Sequence, residues 1–219
     1  MALSAKRKGG FRDLLDFQAM TTTRRGTRGS LGRPVVTTHG EIEQAAFRLF
    51  AQRGFEGTTM AAIADAVGVG RRTLFRYYES KNDIPWGRFD RTLEHFRDIL
   101  DASPADLPLH EAVHRAVLRF NEFPDDAQPP HRERMQLILR TPALQAHSVL
   151  RYAQWRQVIA DYVAQRRGLA PDDVLPRTVG HVSLALALTA YEHWLEDPTA
   201  SLQALLDQCM HQLRDYLRI

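Results

Sequence analysis

Residues 58–81 read TTMAAIADAVGVGRRTLFRYYESK, and the reading of this stretch decides the fold of the N-terminal part. Thr58 and Thr59 each carry a hydroxyl able to cap a helix. Met60, Ile63, Ala64 and Val67 follow at helical spacing. Gly68-Val69-Gly70 interrupts the pattern, and a third short helix is expected from about Arg71 to Tyr78. Two short helices joined by a tight glycine turn make a helix-turn-helix. Gly68 permits positive φ in the turn, and the small Ala64 lets the two helices approach. Ile63, Val69 and Leu74 can then point inward, with Leu49 and Phe50 behind them. The face left over is Gly70, Arg71, Arg72, Thr73, Phe75, Arg76 and Tyr77. It is cationic, aromatic and hydroxylic, which suits a major groove flanked by phosphates. Arginine can also meet guanine edges in a bidentate fashion.

Working outward, Ile42, Ala45, Ala46, Leu49 and Phe50 form one helical stripe, closed by Gly54. On the other side Ser80, with Asp83 three residues on, is expected to open a fourth helix with Pro85 early in it, either as a pivot or as a tolerated first-turn proline. Beyond it, stripes such as Phe89, Leu93, Phe96, Leu100 and Ala112, Val113, Ala116, Val117, Phe120 alternate with breakers. The breakers are Ser103-Pro104, Pro124, Pro129-Pro130, Pro142, Gly168, Pro171 and Pro198. No alternating strand pattern is found. The expected fold is all-α with about nine helices. Residues 1–36 read as a disordered basic arm, 37–83 as a DNA-binding head, and 84–219 as a helical ligand-binding and dimerisation domain.

Charge distribution agrees with this division. The chain of 219 residues carries a net +3. Lys6, Arg7, Lys8, Arg12, Arg24, Arg25, Arg28 and Arg33 against Asp13 and Asp16 give the first 35 residues +6, and the remainder −3. A basic arm ahead of a mildly acidic body points to a polyanionic partner. The first twenty residues lack a secretory signal, no run of about 18 apolar residues appears, and the only cysteine is Cys209. These features fit a cytoplasmic protein without a membrane segment.

Other chemistry is not supported. His110 and His114 are four apart with Glu111 between, a spacing that can hold a metal, but no third ligand lies near, and they read as two solvated histidines. Cys209 and His211 fall on different helix faces. There is no phosphate loop, dinucleotide fingerprint or carboxylate pair. No catalytic residue, metal or cofactor is therefore assigned.

The stretch TTMAAIADAVGVGRRTLFRYYESKNDI resembles the signature of the tetracycline-repressor (TetR) family, a resemblance that spans residues 38–88. It implies that Thr59, Arg71, Arg72, Thr73, Phe75, Tyr77 and Lys81 face double-stranded DNA. Arg71, Arg72 and Thr73 would reach bases, and Thr59, Tyr77 and Lys81 would hold phosphates. Gly70 and Phe75 depart from the family's usual Ser and Tyr, which removes a capping hydroxyl and a donor. FRYYESKNDIPWGRFD, PALQAHSVLRYAQWR and ALTAYEHWLED are similar to TetR-type regulators of the mycofactocin-system class. That resemblance implies a ligand domain suited to a long-chain acyl-coenzyme A, and no enzymatic role.

A pocket is expected among the helices of residues 89–195. Its candidate lining is Phe120, Met135, Leu139, Tyr152, Trp155, Tyr191 and Trp194, with Arg134 or Arg156 meeting a phosphate or carboxylate. Ordinary core packing is the other reading of each apolar or aromatic side chain, and a surface or ion-paired position that of each arginine. The last two helices, with stripes Val179, Val182, Leu186, Ala190 and Leu202, Leu205, Leu206, Cys209, Met210, Leu213, Tyr216, Leu217, can close the core. The resemblance implies that they build a homodimer, as a ligand-gated repressor reading a palindromic operator would need. Two rival classes remain: a DNA binder without ligand gating, steeply salt-dependent, and a helical enzyme with a buried apolar pocket.

Overall fold

The computed structural model describes residues 37–218; the N-terminal arm lies outside the described residues. Among them are nine α-helices, one 3₁₀ segment and no strand. Contacts divide the chain into two units, one up to Gly87 together with Phe123–Pro129, the other Arg88–Glu122 together with Pro130 onward.

The first unit holds three helices. Helix α1 (His39–Arg53) begins at a capping box: Glu41 N donates to Thr38 Oγ1 at 3.2 Å, and Thr38 N donates back to Glu41 Oε2 at 2.7 Å. Its stripe of Ile42, Ala45, Ala46, Leu49 and Phe50 is buried as the periodicity predicts. Helix α2 (Met60–Ala66) is capped by Thr59, whose hydroxyl oxygen accepts from Ala62 N at 3.1 Å. Thr58 instead is buried, and donates to the carbonyls of Gly54 (2.8 Å) and Leu49 (3.2 Å) at the end of α1. Gly68 turns the chain with φ of 70°. Helix α3 (Arg71–Leu74) is shorter than predicted. After Leu74 the bonds tighten, Arg76 N to Thr73 O and Tyr77 N to Leu74 O, so the segment to Tyr78 continues as turns. Ile63, Ala64 and Leu74 are fully buried.

The expected fourth helix does not start at Ser80. The capping box of Ser80 and Asp83 is present, but it opens a 3₁₀ segment, Lys81–Trp86, that ends at Gly87 with φ of 57°. Pro85 lies inside this segment, where it has no amide hydrogen to continue a helical ladder.

The second unit has six helices: α4 (Phe89–Asp101), α5 (Leu109–Phe120), α6 (His131–Arg140), α7 (Pro142–Arg167), α8 (Val174–Glu196) and α9 (Leu202–Tyr216). Pro142, expected as a breaker, is the first residue of the 26-residue α7, a position that suits proline because its missing N–H is unpaired there anyway. Phe96, Phe120 and Trp155 stack at the centre, with ring centroids of 4.5 Å (Phe96–Phe120) and 5.3 Å (Phe96–Trp155). Helices α7 and α8 approach closely at Gly180: a Cβ there would lie 2.8 Å from the Arg156 carbonyl oxygen. No helix among the described residues is long and apolar enough to cross a membrane.

Candidate nucleic-acid interface and ligand-domain cleft

The exposed face of the helix-turn-helix is built by the turn before it. Gly70 precedes α3 in an extended conformation and offers no side-chain cap, as the missing family serine predicts. Leu74 is fully buried and fixes the helix rotation; Gly70, Arg71, Arg72, Phe75 and Arg76 are exposed, and Thr73 is half-buried. Three guanidinium groups and one exposed aromatic ring therefore stand within six consecutive positions. Thr59 is also exposed. Its oxygen caps α2, which leaves its hydroxyl proton for an outside acceptor such as phosphate.

Two expected phosphate ligands have partners within the head; Tyr77 has spent its one proton, while Lys81 uses one of three. The Tyr77 hydroxyl donates to the Thr37 carbonyl at 2.7 Å, and its ring packs edge-on against His39. A phosphate requires a donor, and this hydroxyl's only proton is committed to the entrance of α1. The Lys81 ammonium donates to the Phe55 carbonyl at 2.6 Å and lies over the Phe55 ring, 4.3 Å from its centroid. It ties the loop after α1 to the 3₁₀ segment. The α-helix whose N-terminus was expected to assist Lys81 is not formed there. Sequence reasoning missed both engagements because their partners lie 40 and 26 residues away.

In the second unit the candidate ligand residues separate. Phe120 and Trp155 belong to the central aromatic stack, and Met135 is buried. Tyr191 sits in a buried polar chain. Its hydroxyl donates to Asn121 Oδ1 at 2.6 Å, the Asn121 amide donates to the Val117 carbonyl, and His131 Nε2 lies 2.8 Å from the Tyr191 oxygen. Since the Tyr191 proton is spent on Asn121, His131 is the donor of that last bond. Burial, then the nearby Arg134 charge, pushes His131 down to about 3, so the ring is neutral; burial pushes the Tyr191 hydroxyl up. Trp194 lies under the Arg132 guanidinium, 4.1 Å from Cζ to the ring centre, and that guanidinium also bonds the Trp194 carbonyl.

Leu139 and Tyr152 line a half-open cleft of about 230 Å³ formed by α6, α7 and α8. The other walls are Gln145, Ser148, Leu188, Glu192, Leu195 and Glu196, none of which was anticipated. The arginine at this cleft is Arg140, not Arg134 or Arg156. Arg156 contributes its backbone to the contact with Gly180 instead.

The expectation of two solvated histidines on α5 is half wrong. His110 is exposed, but His114 is only 5% exposed and meets residues of α9. Its partners lie about a hundred positions away, beyond any local pattern. The Asp207-x-x-x-His211 spacing, one helical turn, was the legible local signal.

Comparison with known proteins places these units. Residues 42–84 match the sequence family described as "Bacterial regulatory proteins, tetR family", and residues 107–218 match the "MftR C-terminal domain". A protein of Mycobacterium tuberculosis, "Putative mycofactocin biosynthesis transcriptional regulator MftR", is 46% identical over 176 residues, covering 80% of this chain and 89% of its own. Among solved structures, the fatty acid degradation regulator FadR of Bacillus halodurans superposes with a TM-score of 0.59 at 17% identity, over 80% of this chain and 97% of that one. FadR of Bacillus subtilis, in complex with stearoyl-CoA, does so at 0.57 and 16%, over the same shares. These likenesses show the same fold. A helix-turn-helix with an exposed arginine face, a helical second unit of MftR type and a near-full-length relative agree: the chain is a transcriptional regulator of the TetR family.

Proposed function

We propose that this regulator is a homodimeric repressor of a palindromic operator, released by a fatty acyl-coenzyme A. The observation that carries the DNA part is the Gly70–Arg76 face, on which Arg71, Arg72 and Arg76 are all exposed around a buried Leu74. Arg71, Arg72 and Thr73 contact bases; Thr59 and Arg76 hold phosphates, while Tyr77 and Lys81 hold the head together. The N-terminal residues 1–36 add a basic arm, residues 37–83 read DNA, and residues 84–219 bind the effector and dimerise. Dimerisation through α8 and α9 is supported by apolar side chains exposed there, Val174 (83%), Val182 (37%), Tyr216 (71%) and Leu217 (72%).

The effector class is supported by the FadR of Bacillus subtilis, described with stearoyl-CoA, and by Leu139, Leu188 and Leu195 in the wall of the cleft, with Arg140 to meet an anionic group. At about 230 Å³ the cleft is below the ~300–1,000 Å³ common for ligand pockets. A long acyl chain therefore enters only as α6, α7 and α8 part, and a ligand that binds only the parted state shifts the population toward it.

The test is binding of the purified protein to its own upstream DNA, followed by fluorescence anisotropy, with and without stearoyl-CoA. Tight binding abolished by the acyl compound is expected; tight, sequence-selective binding that ignores it would remove the effector assignment and keep the DNA reading. Arg72→Ala and Thr73→Ala should each weaken operator binding by about 1–3 kcal/mol and random DNA much less. Lys81→Ala should leave the operator-to-random ratio unchanged. Equal losses on both DNAs for all three would overturn the base contacts.

A further inference from the structure

Outside the DNA face and the cleft, α5 and α9 bring together a cluster to which the regulator reading gives no role. Asp207 and His211 stand one turn apart on α9, and His114 reaches them from α5. One ligand atom from each lies within 4.8 Å of the others. His114 Nε2 is 3.0 Å from Asp207 Oδ1. His211 Nδ1 is 3.4 Å from Asp207 Oδ2 and donates to the Asp207 backbone carbonyl at 2.9 Å, so Nε2 is the His211 nitrogen with a lone pair to offer. The two imidazole rings meet edge to face at 5.3 Å.

The geometry at His114 is informative. Its side chain is 95% removed from solvent, and its Nε2 has no hydrogen-bond partner, despite the closeness of Asp207. The carboxylate is near enough but off the line that an N–H···O bond requires. A buried ring nitrogen left this way is costly, and it faces the Asp207 carboxylate and the His211 imidazole.

We propose that His114, Asp207 and His211 form a site for a divalent transition metal, with zinc as the ion of choice. Zinc takes imidazole nitrogen and carboxylate oxygen at about 2.0–2.2 Å, and ligand atoms at the observed separations need only sub-ångström to ångström adjustment to reach one ion. Asp207 and His211 are half-exposed, which leaves a path for entry and an open coordination position for water. The outer shell can reorganise to suit. In this structure an Arg214 guanidinium nitrogen lies 2.9 Å from His114 Nδ1, and Glu111 Oε2 lies 3.7 Å from Arg214. With Nε2 on the metal, Nδ1 carries the proton and needs an acceptor where Arg214 now donates, a place that the Glu111 carboxylate beside Arg214 would have to take. The ion would clip α5 to the final helix, across nearly a hundred residues of chain.

The experiment uses the full-length, tag-free protein stripped with chelator and titrated with zinc chloride by calorimetry, and with cobalt(II) by visible absorption. Expected are one zinc per chain at micromolar concentration, the d–d absorption of low-symmetry cobalt, and a rise in Tm on loading. Asp207→Asn and His211→Ala lie at half-exposed positions, and an unchanged far-UV spectrum and metal-free Tm check that each variant folds. Each should weaken zinc binding by more than the ~10–100-fold typical of losing an outer-shell partner, while His110→Ala should not. His114→Gln should abolish the cobalt spectrum. Absence of zinc uptake at micromolar concentration, or uptake that survives both Asp207→Asn and His211→Ala, would overturn the site. DNA binding is read separately, so the two proposals fail independently.

Discussion

Tyr77 and Tyr78 are neighbours in sequence with different partners, one just before helix α1 and one within it. The Tyr78 hydroxyl donates to the buried Glu43 carboxylate at 2.7 Å, while Tyr77 donates to the Thr37 carbonyl at the helix entrance. The aromatic pair after α3 thus sets the angle of the recognition segment against α1. Tyr78→Phe removes a hydrogen bond to a buried charge, and should lower stability in urea by about 1.5–3 kcal/mol; an unchanged midpoint would show that Glu43 is satisfied without it. At this scale the sequence was legible where a residue's fate depends on its own helix. Ile63 and Leu74 were placed inward by spacing alone, and they are fully buried. It was illegible where a polar tip chooses a distant carbonyl, as Lys81 chooses Phe55. Between Thr58 and Thr59, equal in capping chemistry, the choice rests on which hydroxyl can reach the end of α1.

Helices as elements followed the periodicity well, and the misjudged boundaries have physical reasons. A capping box predicts where a helical turn starts, but not whether it continues as α. At Ser80 the turn carries Pro85, and it ends after one 3₁₀ run. Pro142 shows the reverse: proline stops a helix from its interior and starts one from its first position. The cleft was only partly legible, since Leu139 and Tyr152 were anticipated, but aromatic side chains elsewhere in α5 to α8 went to the core. Gly180 carried no sequence signal, because a helical glycine looks merely unfavourable until its neighbour is known. Gly180→Ala places a methyl 2.8 Å from the Arg156 carbonyl oxygen. Despite alanine's better helix propensity, the variant should be destabilised by about 1–3 kcal/mol through overpacking. A higher Tm in differential scanning calorimetry would show that α7 and α8 can separate there freely.

For the molecule as a whole, buried histidines make stability depend on pH. Burial lowers His131 to about 3, and His95 and His114 are lowered from 6.5 as well, again chiefly by burial. Above 6.5 the His131 ring is neutral whether the chain is folded or not. Between 6.5 and about 3 the unfolded chain takes up a proton that the folded chain refuses. Stability therefore falls as pH drops through that window, by up to about 1.4 kcal/mol per pH unit from His131 alone. Denaturant midpoints at pH 7 and pH 5 should show the loss, and His131→Gln, which keeps a donor for Tyr191, should shrink it. Equal slopes in the two proteins would mean that His131 titrates normally.

The close contact at Gly180 has a mechanical consequence. Two helices touching backbone to side-chain-free backbone cannot slide past one another at that point without a clash, but they can rotate about it. Gly180 and Arg156 form a fulcrum, and the cleft residues Glu192 on α8 and Gln145 on α7 sit on the arms beyond it. Twelve residues of helix give α8 an arm of about 18 Å, so a rotation of about 5° moves its far end by about 1.6 Å. Small scissoring at this glycine would thus become widening at the cleft.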